Sequence, residues 1–136
     1  MSDCIFCKIL SGEIPSATVY EDDEFKAILD RFPSNKGHVL ILPKTHVANI
    51  FEIDPDLAGR LFKLAAKIAP VMKETFGFEN MNIVQNNGPV AGQTVNHLHV
   101  HLIPRYENDS VNVSWKQLDL TDEEIEEVRA ALVKNL

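Results

Sequence analysis

Apolar and polar residues alternate through His97-Leu98-His99-Val100-His101-Leu102-Ile103, the period of a strand whose side chains point to opposite faces in turn. This predicts a strand over residues 97–103, closed by Pro104, with three imidazoles on one face and Leu98, Val100 and Leu102 on the other. Shorter runs predict strands over 18–21, 25–29, 37–42 and 80–85, the first two joined by the polar turn Asp22-Asp23-Glu24. Residues 5–10 suit a short helix stopping near Ser11-Gly12. Leu57, Leu61, Leu64, Ala65, Ile68 and Met72 repeat at helical spacing behind Asp54-Pro55, an N-cap followed by a proline at the first helical position. Gly77 is placed to cap this helix, and Pro70 is expected to kink or break it over 66–69. Thr121-Asp122-Glu123-Glu124 forms a capping box ahead of a helix with Ile125, Val128, Ala131 and Leu132 on one face. The order of elements predicts an α+β fold: an antiparallel sheet of about five strands with one long and one C-terminal helix packed on it.

The 136 residues, 45% of them hydrophobic, fit a single domain over 1–136 that buries a real core. A formal net charge of −7 argues against nucleic-acid or anionic-membrane binding, which needs a positive field. A small anion held by local donors is still allowed. No run approaches a membrane-spanning length, and Met1-Ser2-Asp3-Cys4 lacks the basic and apolar segments of a signal peptide. The expected location is cytoplasmic. Thiols stay reduced there, so Cys4-x-x-Cys7 reads as a pair of metal ligands rather than a disulfide.

Three of the five histidines fall within residues 97–101. A neutral imidazole attacks phosphorus well near pH 7, provided a neighbour fixes its tautomer, and flanking imidazoles can donate to phosphoryl oxygens. The preceding loop runs from Asn86 to Thr94. Its glycines, Gly92 among them, let backbone N–H groups converge on an anion, and Gln93 and Thr94 add side-chain donors. The rival reading is a zinc held by all three strand histidines with an open position; spacing alone does not separate the two. Cys4, Cys7, His46 and one strand histidine would make a closed, structural Cys₂His₂ set. His38 begins a strand and could reach the same face.

Ile5-Phe6-Cys7-Lys8-Ile9, the run from Gly37 to His46 and the run from Ala91 to Arg105 resemble the histidine triad (HIT) family, bacterial members between its Hint and Fhit branches. The likeness extends in order from about Asp3 to Arg105. It implies a homodimer whose two sheets join into one, and a nucleotide hydrolase or transferase acting at the α-phosphate of a nucleoside phosphoramidate or a dinucleoside polyphosphate. It makes His99 the nucleophile that forms a nucleotidyl-histidine, with His101 and His38 at the phosphate. Gln93 and Thr94 would lie by the bridging atom, Asn86 and the Gly92 loop at the phosphate, and Asp30 at the ribose. Ile5, Phe6, Ile9 and Ile28 would line the pocket of a purine base. His97 then joins Cys4, Cys7 and His46 around a structural zinc. The alternative expectation is a nucleotide-binding or partner-binding module with little catalysis.

Overall fold

Strands β1 (Thr18–Glu21), β2 (Phe25–Leu29), β3 (Val39–Pro43), β4 (Asn80–Val84) and β5 (Val100–Arg105) form one antiparallel sheet in the order β1-β2-β3-β5-β4. The computed structural model describes residues 3–136; Met1 and Ser2, which open the stretch read as lacking a leader, lie outside the described residues. Period-two alternation sorts each strand between two cores. Phe25, Ala27, Val39, Ile41, Val100 and Leu102 share one core with the long helix α2 (Pro55–Phe76), which contributes Leu61, Leu64, Ala65 and Met72. Ile28, Leu40 and Leu42 face the other way and meet Phe6 and Ile9 of the short helix α1 (Ile5–Leu10). His101 lies opposite Leu40 in the β3–β5 ladder, so the chemistry sits on the α1 side of the sheet. Lys26 is buried on that side too, and its Nζ donates to the Ile9 carbonyl, 3.3 Å away, at the end of α1.

Three expectations change. The histidine strand begins at Val100, so His97 and His99 precede it and only His101 lies within it. The β3–β5 ladder pairs Ile41 with Val100 and goes no further. Pro43 has no N–H to continue it, and its carbonyl is taken by the His97 ring instead. Second, α2 runs unbroken through Pro70. Pro70 and Ala66 both face solvent, so the carbonyl that loses its donor meets water and the ring meets a small neighbour. Third, the C-terminal helix α3 (Asp122–Asn135) forms with its capping box but buries none of its residues on this chain, and Ile125, Val128 and Leu132 are exposed. Asp54 and Gly77 cap α2 as expected, Gly77 at φ +73°. Among the described residues no helix is long and apolar enough to cross a membrane.

Candidate active site and metal centre

What each buried imidazole can do follows from the backbone group it meets. His97 Nε2 lies 2.9 Å from the Pro43 carbonyl, which can only accept, so Nε2 carries the proton and Nδ1 the lone pair. His99 Nδ1 lies 2.7 Å from the His97 carbonyl, so here the proton is on Nδ1 and the lone pair on Nε2. His38 is set the opposite way round: Ser34 N–H donates to its Nδ1 at 3.0 Å, which leaves Nε2 as the donor. That donor meets His101 Nδ1 at 2.9 Å, so His101 accepts on Nδ1 and presents Nε2–H outward. The His99 and His101 rings are 4.9 Å apart, and Phe6 packs edge-on against His99 at 4.8 Å.

Burial keeps these rings neutral. It is the main cause lowering the His99 pKa, opposed by the bond to the His97 carbonyl and by Asp30. His101 is pushed down to about 4, by burial first and then by His99 and His38. His38 is lowered by burial, against the pull of Asp30, whose Oδ2 lies 3.6 Å from its Nε2. The result is a row of uncharged rings, one offering a lone pair and its neighbour an N–H. Asp30, His38 and His101 also bring donor atoms together, but His38 Nε2 holds a proton and His101 Nδ1 is occupied by it, so this trio is a hydrogen-bonded unit. The three neighbouring histidines do not converge on one point either, because His97 turns to the cysteines.

Cys4, Cys7, His46 and His97 form a second cluster. Cys4 Sγ and Cys7 Sγ each lie 3.5 Å from His97 Nδ1. His46 Nδ1 is 3.2 Å from Cys7 Sγ and 3.1 Å from His97 Nδ1. A tetrahedral zinc with bonds of about 2.0–2.3 Å sets its ligand atoms roughly 3.3–3.8 Å apart, close to these separations. Both cysteines are free thiols, and burial followed by the neighbouring Cys4 raises the Cys7 pKa. Two paired thiols and a lone pair on His97 Nδ1 make a donor set that a cation would satisfy, so these residues could hold a metal. Cys4 also caps α1, its Sγ accepting from Cys7 N–H.

Next to His99 and His101 lies a cavity of about 790 Å³, walled by Ile5, Phe6, Ile9 and Ile28, with Asp30 and Thr94 also on its lining. Leu40, two residues after His38 and so on the same face of the sheet, lines it as well and was missed in the sequence because it reads only as core. A second cavity of about 590 Å³ shares Asp30 and His101 and adds His38, Asn86, Ser110 and Asn112. Two expectations for the loop are revised. The N–H groups of Gly88, Ala91, Gly92 and Gln93 all bond within the loop, so these four do not turn to an anion. Gln93 is buried, its Nε2 donating to the Ala48 and Val95 carbonyls while its Oε1 accepts from Gly88 N–H, so it clasps the loop. Gly92 sits at φ +96°, and a Cβ there would come within 3.4 Å of Asn86 Nδ2; the glycine leaves Asn86 its place.

Comparison with known proteins places this geometry. The family model described as the HIT domain matches residues 11–108. A HIT family protein from Bacillus subtilis, known from its crystal structure, is 42% identical, with a TM-score of 0.93 over 98% of this chain and 97% of that one. A fission yeast (Schizosaccharomyces pombe) relative named adenosine 5'-monophosphoramidase hnt1 is 38% identical over 90% of each chain. A structure titled as a Zn-bound histidine triad family protein, from Mycobacterium smegmatis, is 34% identical, with a TM-score of 0.76 over 98% of this chain and 95% of that one. The chain belongs to the HIT family.

Proposed function

We propose that this chain is a nucleotide hydrolase that cleaves at the α-phosphate of a nucleoside phosphoramidate or a dinucleoside polyphosphate and releases a nucleoside monophosphate. The observation that carries the reading is the His99 tautomer: its Nδ1–H is committed to the His97 carbonyl, so the lone pair on Nε2 is free for phosphorus. His99 Nε2 attacks the phosphorus as the bond to the leaving group breaks, and the departing group takes a proton from solvent water. Water then displaces His99 from the nucleotidyl-histidine, giving the monophosphate and the free ring. His101 Nε2–H donates to a phosphoryl oxygen through the transition state, with Thr94 and Asn86 as further donors. Asp30 receives ribose hydroxyls, and Ile5, Phe6, Ile9 and Ile28 sandwich a purine. Gln93 and Gly92 hold the loop that places Thr94 and Asn86, and His38 orients His101. The relative named as a monophosphoramidase supports the class of reaction.

Cys4, Cys7, His46 and His97 would hold a structural zinc that ties α1, and with it the base pocket, to the sheet. The Zn-bound relative and the donor separations support this. The thiols need a reducing compartment, and we place the protein in the cytoplasm. Two copies pair through the open edge of β4, which exposes Ile83, and join their sheets. The exposed apolar residues of α3 and Trp115 suit a surface that a second copy covers.

His99→Ala is expected to lower turnover of adenosine phosphoramidate by at least about 10³-fold while AMP still binds, since a covalent route has no substitute for its nucleophile; turnover near that of the unmodified protein contradicts the mechanism. Because His99 must be neutral to attack and its pKa is lowered, the acid limb of kcat/KM should fall below the ordinary imidazole value of about 6.5. A limb above 7 is the opposing result. Elemental analysis should find about one zinc per chain, reduced in Cys4→Ser together with thermal stability; a metal-free protein of equal stability removes the zinc. Light scattering should give twice the chain mass, and a monomer at working concentration rejects the joined sheets.

A further inference from the structure

Asp109 follows β5 in a loop with no part in the chemistry above, yet its side chain is only 6% exposed and receives five hydrogen bonds. Arg105 grips it with Nε and Nη2, both at 2.9 Å, and holds its carboxyl well below the usual carboxylate range. Tyr106 and Val111 donate backbone N–H groups. The fifth donor comes from across the sheet: Asn35 Nδ2, at 2.8 Å, which also donates to the Pro104 carbonyl at 2.8 Å. Asn35 therefore clamps the turn between Asp30 and His38 to the end of β5. Its own carbonyl accepts from His38 N–H at 3.1 Å, and the residue before it, Ser34, supplies the N–H that meets His38 Nδ1.

We propose that Asn35 and Asp109 are positioning residues: by fixing the Ser34 N–H against His38 they hold His38 in one tautomer, and so decide which nitrogen of His101 carries a proton toward the phosphate. This rests on the role given above to His101. The chemistry of the pair leaves two consistent states. With Ser34 N–H on His38 Nδ1, the proton sits on Nε2, His101 accepts on Nδ1, and His101 Nε2–H faces outward. If the turn relaxes, His38 can carry its proton on Nδ1. Its Nε2 then turns a lone pair toward the lone pair of His101 Nδ1, 2.9 Å away. The contact survives only if the His101 proton moves to Nδ1, which strips Nε2 of its donor. Asp30, 3.6 Å from His38 Nε2, favours the first state but stands on the same turn that the clamp holds.

The test uses the full-length protein, with histidine nitrogens labelled and read by NMR near pH 7.5 beside steady-state kinetics. The unmodified protein should show His38 protonated on Nε2 alone and His101 likewise. Asn35→Ala should show both tautomers at the two residues. Its kcat for adenosine phosphoramidate should fall in proportion to the share of His101 that loses Nε2–H, about tenfold where roughly nine-tenths is lost, while AMP affinity changes less than about twofold. Should Asn35→Ala fail to fold, Asn35→Asp serves: it keeps the side-chain volume but turns an acceptor toward Asp109 Oδ2 and the Pro104 carbonyl, which opens the clamp by the same route. Unchanged tautomers in a folded variant overturn the proposal, whether or not kcat falls, and mixed tautomers with an unchanged kcat overturn the link to His101. Absence of turnover in the unmodified protein would instead fall on the proposed function, and the NMR comparison would still decide the clamp.

Discussion

Three backbone groups govern the centre of this molecule: the Pro43 carbonyl, the His97 carbonyl and the Ser34 N–H. Each meets one ring nitrogen of a buried histidine, and each can act in only one sense, as acceptor or as donor. A neutral imidazole with one nitrogen so fixed has no freedom at the other. His97 must offer Nδ1 to the cysteines, His99 must offer Nε2 to the cavity, and His38 must donate to His101. Adjacent histidines two residues apart thereby take different tasks. Burial strengthens the arrangement, because protonation of any of these rings would put a charge where little water is left to solvate it.

The fold supplies the two carbonyls by interrupting its β3–β5 ladder, and the Ser34 N–H from the turn between β2 and β3. Pro43 ends β3 without an N–H to give, so its carbonyl is left for a side chain, and β5 cannot begin before Val100. The segment freed from the sheet is the one that holds His97 and His99. Helix α1 and its N-cap then cover both centres at once: Cys4 and Cys7 stand with His46 and His97, while Ile5, Phe6 and Ile9 stand on the cavity side. Buried Lys26 and the Ile9 carbonyl fasten the far end of the helix. A change that loosens the cysteine cluster therefore reaches the cavity beside His99 without touching it.

Much of this was legible in the sequence. The strand positions, the caps of α2 and the capping box of α3 are local signals, carried by alternation and by Asp54, Gly77 and Thr121. The gathering of Cys4, Cys7, His46 and His97, and of His99, His101, His38 and Asp30, matched the family resemblance. What could not be read was long-range. That alternation stops short of being a strand at His97 depends on Pro43, far away in the chain. That Gln93 spends its amide on Ala48 and Val95, and that Asn35 spends its amide on Pro104 and Asp109, depends on partners up to 74 residues distant. Arg105 followed four residues later by Asp109 was the one local sign of the clamp. The exposed face of α3 looked like a core stripe, since a helical period records amphipathicity and not what covers it.

The assignment of His99 Nε2 as the attacking atom is tested most directly by trapping the enzyme during turnover. A substrate mixed with the protein and quenched in denaturant at alkaline pH should yield one peptide bearing a nucleoside monophosphate on His99, with the phosphorus–nitrogen bond at Nε2. An adduct at Nδ1, an adduct on His101 or His38, or full turnover with no adduct under conditions that preserve phosphohistidine would contradict it.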